Sequence, residues 1–287
     1  MLYLYLKFYK MKKIGVLVMM TFFCFSAHAQ KMEKIRGSKV VTIEQKSIDT
    51  FSSLEVEHGL EVYLVKGSAP AIEIEADDNL HEAIETNVLG GILYVRVKKN
   101  ITSAKKVNIR VIYTDELNKI LVKDKASITA LATLQLEKVE IKAIEQSKLF
   151  LNVQVTDFSL NLNDKSAAEL NLKSNTAKID LEKNSALKAL IACNILNIDL
   201  YNKSNAVIEG DSENSRIRID NSAVFESKNF TVKNTKLVTI DAAKASIRSS
   251  VEAIIEASGN SEVYFYGDGK VTLEKFLDNA SIYKRVK

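Results

Sequence analysis

Leu160-Asn161-Leu162-Asn163-Asp164-Lys165-Ser166, Ile179-Asp180-Leu181-Glu182-Lys183-Asn184-Ser185 and Ile198-Asp199-Leu200-Tyr201-Asn202-Lys203-Ser204 are one phrase written three times, nineteen residues apart. Each copy has two apolar residues one apart, a polar triplet and a serine. The phrase continues on both sides. Upstream, Ile120-Leu121-Val122 leads to Ser127, and Ile141 and Ile144 lead to Ser147. Downstream, Ile217 and Ile219 lead to Asn221-Ser222, Val238 and Ile240 to Ala245-Ser246, Ile254 and Ile255 to Asn260-Ser261, and Leu277 to Ala280-Ser281. The serine spacings are 20, 19, 19, 19, 18, 24, 15 and 20. A period held over that many copies is the signature of a repeat architecture and is read before any local pattern.

Within each copy the apolar residues alternate at period two, which is strand patterning. No copy can bury its apolar face alone, whereas stacked copies share one continuous core. The expected fold is therefore all-β: a parallel β-helix or β-solenoid with coils of about 19–20 residues. Corners in such a coil need left-handed backbone, usually supplied by glycine. Residues 92–209 contain no glycine. Asn163-Asp164, Asn184, Asn202, Asn205 and Asn221 are expected to turn the corners instead, because Asn and Asp tolerate that conformation. The recurrent serine is expected at one corner of every coil, in a structural row whose hydroxyls form a hydrogen-bonded ladder.

The preceding part is less regular. Phe51, Leu54, Val56, Leu60, Val62 and Leu64 alternate across a break at His58-Gly59, and Ile72 and Ile74 follow the turn at 67–70. Leu80, Ile84 and Val88 at spacing four suggest a short helical turn. Gly90-Gly91 reads as a hairpin turn into Leu93, Val95 and Val97. Val107, Ile109 and Val111 make a further strand. The expected division is a flexible leading segment over 30–45, an N-terminal β portion over 46–113 and the repetitive solenoid over 114–287.

The start reads as an address. Met11-Lys12-Lys13 precedes an apolar run from Ile14 to Ser26, and Ala27-His28-Ala29 has the small-x-small pattern cut by signal peptidase. Residues 1–29 are thus expected to be a secretory signal peptide, with 1–10 an upstream extension. The 287-residue chain has a formal charge of +4, but the leader holds Lys7, Lys10, Lys12 and Lys13 and no acid. The mature chain keeps 36 basic residues against 36 acidic ones. That balance gives no argument for a nucleic-acid partner, and no membrane span is expected in the mature chain. The expected location is export to the periplasm or outer surface of a bacterium.

The N-terminal order carries a resemblance. Phe51-x-x-Leu54-x-Val56 is followed by His58-Gly59-Leu60-x-Val62-x-Leu64 and Ile72-x-Ile74-x-Ala76. Ile84-x-x-x-Val88-x-Gly90-Gly91-x-Leu93, Ile109-x-Val111 and Leu117-x-x-Ile120 come next, and then the repeated serine corners. Over roughly residues 45–285 this resembles the head-GIN domain family of secreted bacterial proteins, described as auto-transporter adhesin head domains. The resemblance implies an exported β-helical protein and supplies no catalytic residues to carry over. This chain departs from the family's Ser-Gly-Ala-Ser corners, keeping the glycine only in Ser258-Gly259-Asn260-Ser261.

The chemical inventory is thin. The mature chain has His58, His81 and one cysteine, Cys193. Cys193 lies in an alternating apolar stretch and reads as a small buried hydrophobe. His58 reads as a turn residue and His81 as exposed. No catalytic residues, metal ligands or cofactor are expected; two histidines without a cysteine cluster make no zinc spacing, and the corner acids fall out of register for calcium. Tyr264 and Tyr266 share one face of a strand, with Phe265 on the other, and form the candidate ligand-contact patch; ordinary half-buried strand aromatics are the plainer reading. The leading expectation is a non-enzymatic binding or adhesin-like module at the cell envelope, its partner a glycan or a protein. The alternatives are a carbohydrate-active enzyme on a β-helix and a structural periplasmic protein that self-associates through its terminal coils.

Overall fold

In the computed structural model residues 32–285 are described. Of an N-terminal unit over 1–34 only the last three residues are described, so the expected signal peptide over 1–29 lies outside the described residues. From Ile35 onward the chain is a second unit, the solenoid.

Its regular part is a stack of long strands: Lys148–Leu162, Ala167–Leu181, Ala186–Leu200, Asn205–Ile219, Val224–Thr239 and Lys244–Ala257. Each pairs in parallel with the next, and as far as Asn205–Ile219 the register is the nineteen-residue offset of the sequence, as in Ile179↔Ile198 and Leu181↔Leu200. In Ala186–Leu200 side chains alternate outward and inward up to Cys193, then Asn194 and Ile195 both face outward. That doubled outward step is a bend, and the ladder skips there, from Ser174↔Cys193 to Thr176↔Ile195. Asparagines stack at the bend, with Asn194 Nδ2 donating to Asn175 Oδ1 at 2.8 Å. One strand therefore supplies two arms of a coil, and a tight turn closes it.

The core is built of columns. One runs Leu93, Leu54, Ile120, Ile141, Leu160, Ile179, Ile198, Ile217, Leu237, Ile255 and Leu273, each in register with the next. All but the last are at most 1% exposed. Burying one such side chain is worth about 1.5–3 kcal/mol, so the column ties the irregular N-terminal strands to the repeat as one core.

The corners correct the expected serine row. The turns run Asp124-Lys125, Glu145-Gln146, Asp164-Lys165, Lys183-Asn184, Asn202-Lys203 and Asn221-Ser222, with positive φ at both residues of each. Lysine, glutamine and serine thus adopt left-handed backbone alongside the expected Asp164, Asn184, Asn202 and Asn221. Asn163 and Asn205 flank their turns instead. Each turn is closed by an N–H three residues on, as when Ser185 donates to the Glu182 carbonyl at 3.2 Å. Successive turns are also cross-bonded: Lys165 N–H donates to Lys183, Asn184 to Asn202 and Lys203 to Asn221, at 3.0–3.3 Å. These bonds hold a backbone shape that costs a side-chain-bearing residue about 1–2 kcal/mol.

The residue after each turn points into the core. That row is Ala126, Ser147, Ser166, Ser185, Ser204, Ala223, Ala243 and Ser261, all buried. Ser127, Ser222 and Ser246 are not in it. The position selects small volume, and serine and alanine serve equally. Nor is there a continuous hydroxyl ladder: the Oγ atoms of Ser166, Ser185 and Ser204 have no hydrogen-bond partner among the described residues. The odd spacings of 24 and 15 come from Ser222 and Ser246, which lie off the row. A real irregularity remains beside them: strand Val224–Thr239 has 16 residues and Lys244–Ala257 has 14, with bulges in their pairing.

At the N-terminal end the pairing changes sense. Ile92–Val97 pairs in parallel with Ser53–Val56 but antiparallel with Ile84–Leu89. Val107–Tyr113 pairs in parallel with Glu61–Lys66 but antiparallel with Ala71–Asp77. Val41–Ser47 then pairs antiparallel with Ala71–Asp77, so residues 41–45 of the leading segment stand in the sheet. The expected helical turn is a 3-10 helix over Asp78–Ala83 that stops before Ile84, the first residue of a strand. Its Leu80 is fully buried against the core end. Asp77 stitches this end together. Its buried carboxylate accepts from the backbone N–H groups of Lys39, Lys105 and Lys106 at 2.9–3.1 Å. A Cβ on Gly37 would lie 2.1 Å from Asp77 Oδ2, so only glycine fits there.

Candidate binding groove

Outward side chains stack in columns just as inward ones do. One outward column runs Tyr63, Thr129, Phe150, Glu169, Lys188, Val207, Glu226, Ser246, Tyr264 and Tyr283. It forms the floor of a groove. One segment of about 540 Å³ spans Thr129 to Glu209, with Phe150, Asn152, Asn171 and Leu190 along it. A second of about 330 Å³ shares Val207 and Glu209 and continues through Glu226, Lys228 and Asn229 to Tyr264 and Tyr266. At the ~4.8 Å strand spacing, the eight steps from Thr129 to Tyr283 make a surface roughly 40 Å long.

The joint of the two segments is built by a bulge. Pairing between Asn205–Ile219 and Val224–Thr239 shifts register between Val207 and Gly210. Gly210 has φ 111°, and a Cβ there would sit 2.1 Å from the Ile191 carbonyl oxygen. Only glycine lets the strand pass so close to its neighbour.

The C-terminal end of the groove is aromatic. Tyr264 and Tyr283 stack with ring centroids 5.3 Å apart. The Arg285 guanidinium lies 5.1 Å and 5.4 Å from the two centroids, within cation–π range. Tyr264 donates its hydroxyl to Glu262 Oε2 at 2.8 Å. That bond, and then Lys244, hold the Glu262 carboxyl below its ordinary range, while the bond to the carboxylate pushes the Tyr264 phenol up. Arg248 lies 5.8 Å from the Tyr266 ring centroid. Tyr264 and Tyr266 thus share one face, while Phe265 is buried. Phe150, Glu169, Lys188, Glu226 and Tyr283 were not singled out in the sequence; their signal is the same nineteen-residue offset, read at outward positions.

Stacking also gathers Glu57, His58 and Asp124, whose ligand-capable atoms lie within 4.8 Å of one another. His58 Nδ1 is 3.9 Å from Glu57 and its Nε2 is 3.8 Å from Asp124. Lys123 Nζ lies 2.7 Å from Glu55 and 3.5 Å from Glu57, supplying the positive charge itself. Asp124 raises the Glu145 carboxyl pKa through a side-chain hydrogen bond. Cys193 is buried, 3.6 Å from Ser212 Oγ, and burial pushes its thiol up, away from the reactive thiolate. His81 is not exposed as expected: its Nε2 lies 2.9 Å from Thr42 Oγ1 and its Nδ1 3.3 Å from Glu44.

A parallel solenoid carrying a long, shallow outer groove is a scaffold of the repeat class. The chain belongs to the family described as "Putative auto-transporter adhesin, head GIN domain", whose model matches residues 50–269. No curated protein matches it. Solved structures with the same fold include a "putative adhesin" from Parabacteroides distasonis, at TM-score 0.61 and 16% identity, covering 87% of this chain and 99% of that one. Another "putative adhesin", from Parabacteroides merdae, aligns at TM-score 0.59 and 17% identity, covering 88% and 100%. A "putative lipid binding protein" from Parabacteroides distasonis aligns at TM-score 0.60 and 15% identity, covering 87% and 96%. Among the described residues no helix is long and apolar enough to cross a membrane.

Proposed function

We propose that this chain is an exported, non-enzymatic binding module whose groove receives an extended glycan of the cell envelope. The observation that carries the reading is the outward column, which spaces aromatic and polar side chains one strand apart over the groove's length. Sugar rings present apolar faces that stack on Phe150 and Tyr264, and hydroxyls that bond to Asn152, Asn171, Glu209 and Asn229. An acyl chain fits less well, because Glu169, Lys188, Glu226 and Lys228 interrupt the apolar floor. A stiff ladder with preset contacts costs little ordering on binding.

The test is retention of the purified chain on immobilised cell-envelope polysaccharide, with phosphatidylcholine vesicles as the second probe. Retention by the polysaccharide, lost in a Phe150→Ala/Tyr264→Ala double variant with unchanged β circular dichroism, is expected. Binding to vesicles alone, or to neither probe, overturns the proposal.

A further inference from the structure

The two ends of the solenoid are finished differently. At the N-terminal end antiparallel strands and Leu80 close the core. At the other end the last coil comprises strands Lys270–Phe276 and Ser281–Lys284. Each is paired on one side only among the described residues, to Lys244–Ala257 and Glu262–Tyr266. Its inward residues stack under the core without cover among the described residues. Val271 lies beneath Ala253, Leu273 beneath Ile255 and Phe276 beneath Ala257. They are 37%, 46% and 41% exposed, and Leu277 beside them is 49% exposed. A free strand edge with a free core face is what a solenoid presents where another layer belongs.

We infer that this end is the interface of a two-fold dimer between two copies of the chain. The occupant follows from the strand's own pattern. Lys270-Val271-Thr272-Leu273-Glu274 is self-complementary about Thr272. An antiparallel pairing centred there sets Lys270 opposite Glu274 of the second copy. It sets Val271 opposite Leu273 on the core side and Thr272 opposite itself. A self-complementary patch is the requirement of an isologous interface. The charge ladder supports the same register. Lys270 lies 3.6 Å from Glu252 and Glu274 lies 3.4 Å from Lys236, so the pairing extends an alternation of sign already present. The capped end offers no open parallel edge among the described residues, its outer strands Ile84–Leu89 and Val41–Ser47 having joined antiparallel. The inference stands independently of what the groove binds.

The experiment is sedimentation of the purified chain over a concentration series, with variants. A dimer is expected. Leu273→Glu converts it to monomer with its β circular dichroism and polysaccharide retention unchanged. Lys270→Glu weakens dimerisation at least tenfold, and adding Glu274→Lys restores it. Thr272→Cys, on the axis, forms an intermolecular disulfide under mild oxidation, while Lys275→Cys does not. A chain that stays monomeric at the highest soluble concentration, a dimer indifferent to Leu273→Glu, open-ended polymers, or a Thr272→Cys variant that fails to cross-link would each overturn the inference.

Discussion

Tyr264 and Tyr283 stack at 5.3 Å with their planes 20° apart because one coil of chain separates them. Their neighbourhood is a product of register, and it gives the groove a two-ring platform that neither strand has alone. Removing one ring forfeits a contact of about 0.5–1.5 kcal/mol beyond its area burial. Tyr264→Ala is expected to weaken polysaccharide binding by roughly two- to tenfold on that scale. Titration calorimetry with the polysaccharide checks this, and an unchanged affinity excludes the platform as a contact.

The corner serines are expected to yield to alanine. Ser185 is buried, its hydroxyl has no hydrogen-bond partner among the described residues, and the equivalent sites hold Ala223 and Ala243. A buried unsatisfied hydroxyl costs about 1–3 kcal/mol, so Ser185→Ala is expected to be neutral or stabilising in urea unfolding. Ser185→Val, which overfills the same corner, is expected to lose about 1–3 kcal/mol. Destabilisation by both would show that the hydroxyl, not the volume, is selected.

Turn lysines should gain from glycine. Lys165 and Lys203 both have positive φ, 65° and 63°. Relieving left-handed strain offsets the greater freedom of glycine in the unfolded chain. Lys203→Gly is expected to raise stability by about 0.5–1 kcal/mol, whereas Lys203→Val lowers it. Midpoints of urea denaturation distinguish the two.

Acid sensitivity is expected to involve Asp77. Burial favours its protonated form, but hydrogen bonds from Lys39, Lys105 and Lys106 outweigh it, so the carboxyl sits below its ordinary value. A group depressed in the folded state stabilises the fold above its unfolded pKa, about 3.9 for Asp. That contribution is lost as pH falls through the lower folded value. Asp77→Asn should therefore melt below wild type at neutral pH, with the gap closing in acid. A gap constant with pH would assign the loss to packing alone.

The period, the all-β class and the parallel stack were legible because alternation and a nineteen-residue offset are both written in the chain. The register of the corner was not. Serine marks the row to the eye, but the fold selects a small side chain, so Ala126, Ala223 and Ala243 were passed over for Ser127, Ser222 and Ser246. The bends at Asn175 and Asn194 hide within the alternation, since one doubled outward step looks like noise. At Leu80, Ile84 and Val88 a helical spacing ended early, because Ile84 finds a strand partner in Val97. Tyr264 and Tyr266 were visible as an aromatic pair on one strand. Their companions Phe150, Glu226 and Tyr283 were not, because outward residues one coil apart share no local pattern and meet only when the register is known.

The turn-to-turn bonds and the parallel ladders all point along the stacking axis, and this fixes how the molecule answers force. A pull on the C-terminal strand opens one coil's hydrogen bonds at a time, like a zip, and never the whole stack at once. Each event frees about nineteen residues, lengthening the tether by roughly 60 Å at extended-chain dimensions. A protein of this build gives way in steps and dissipates load coil by coil.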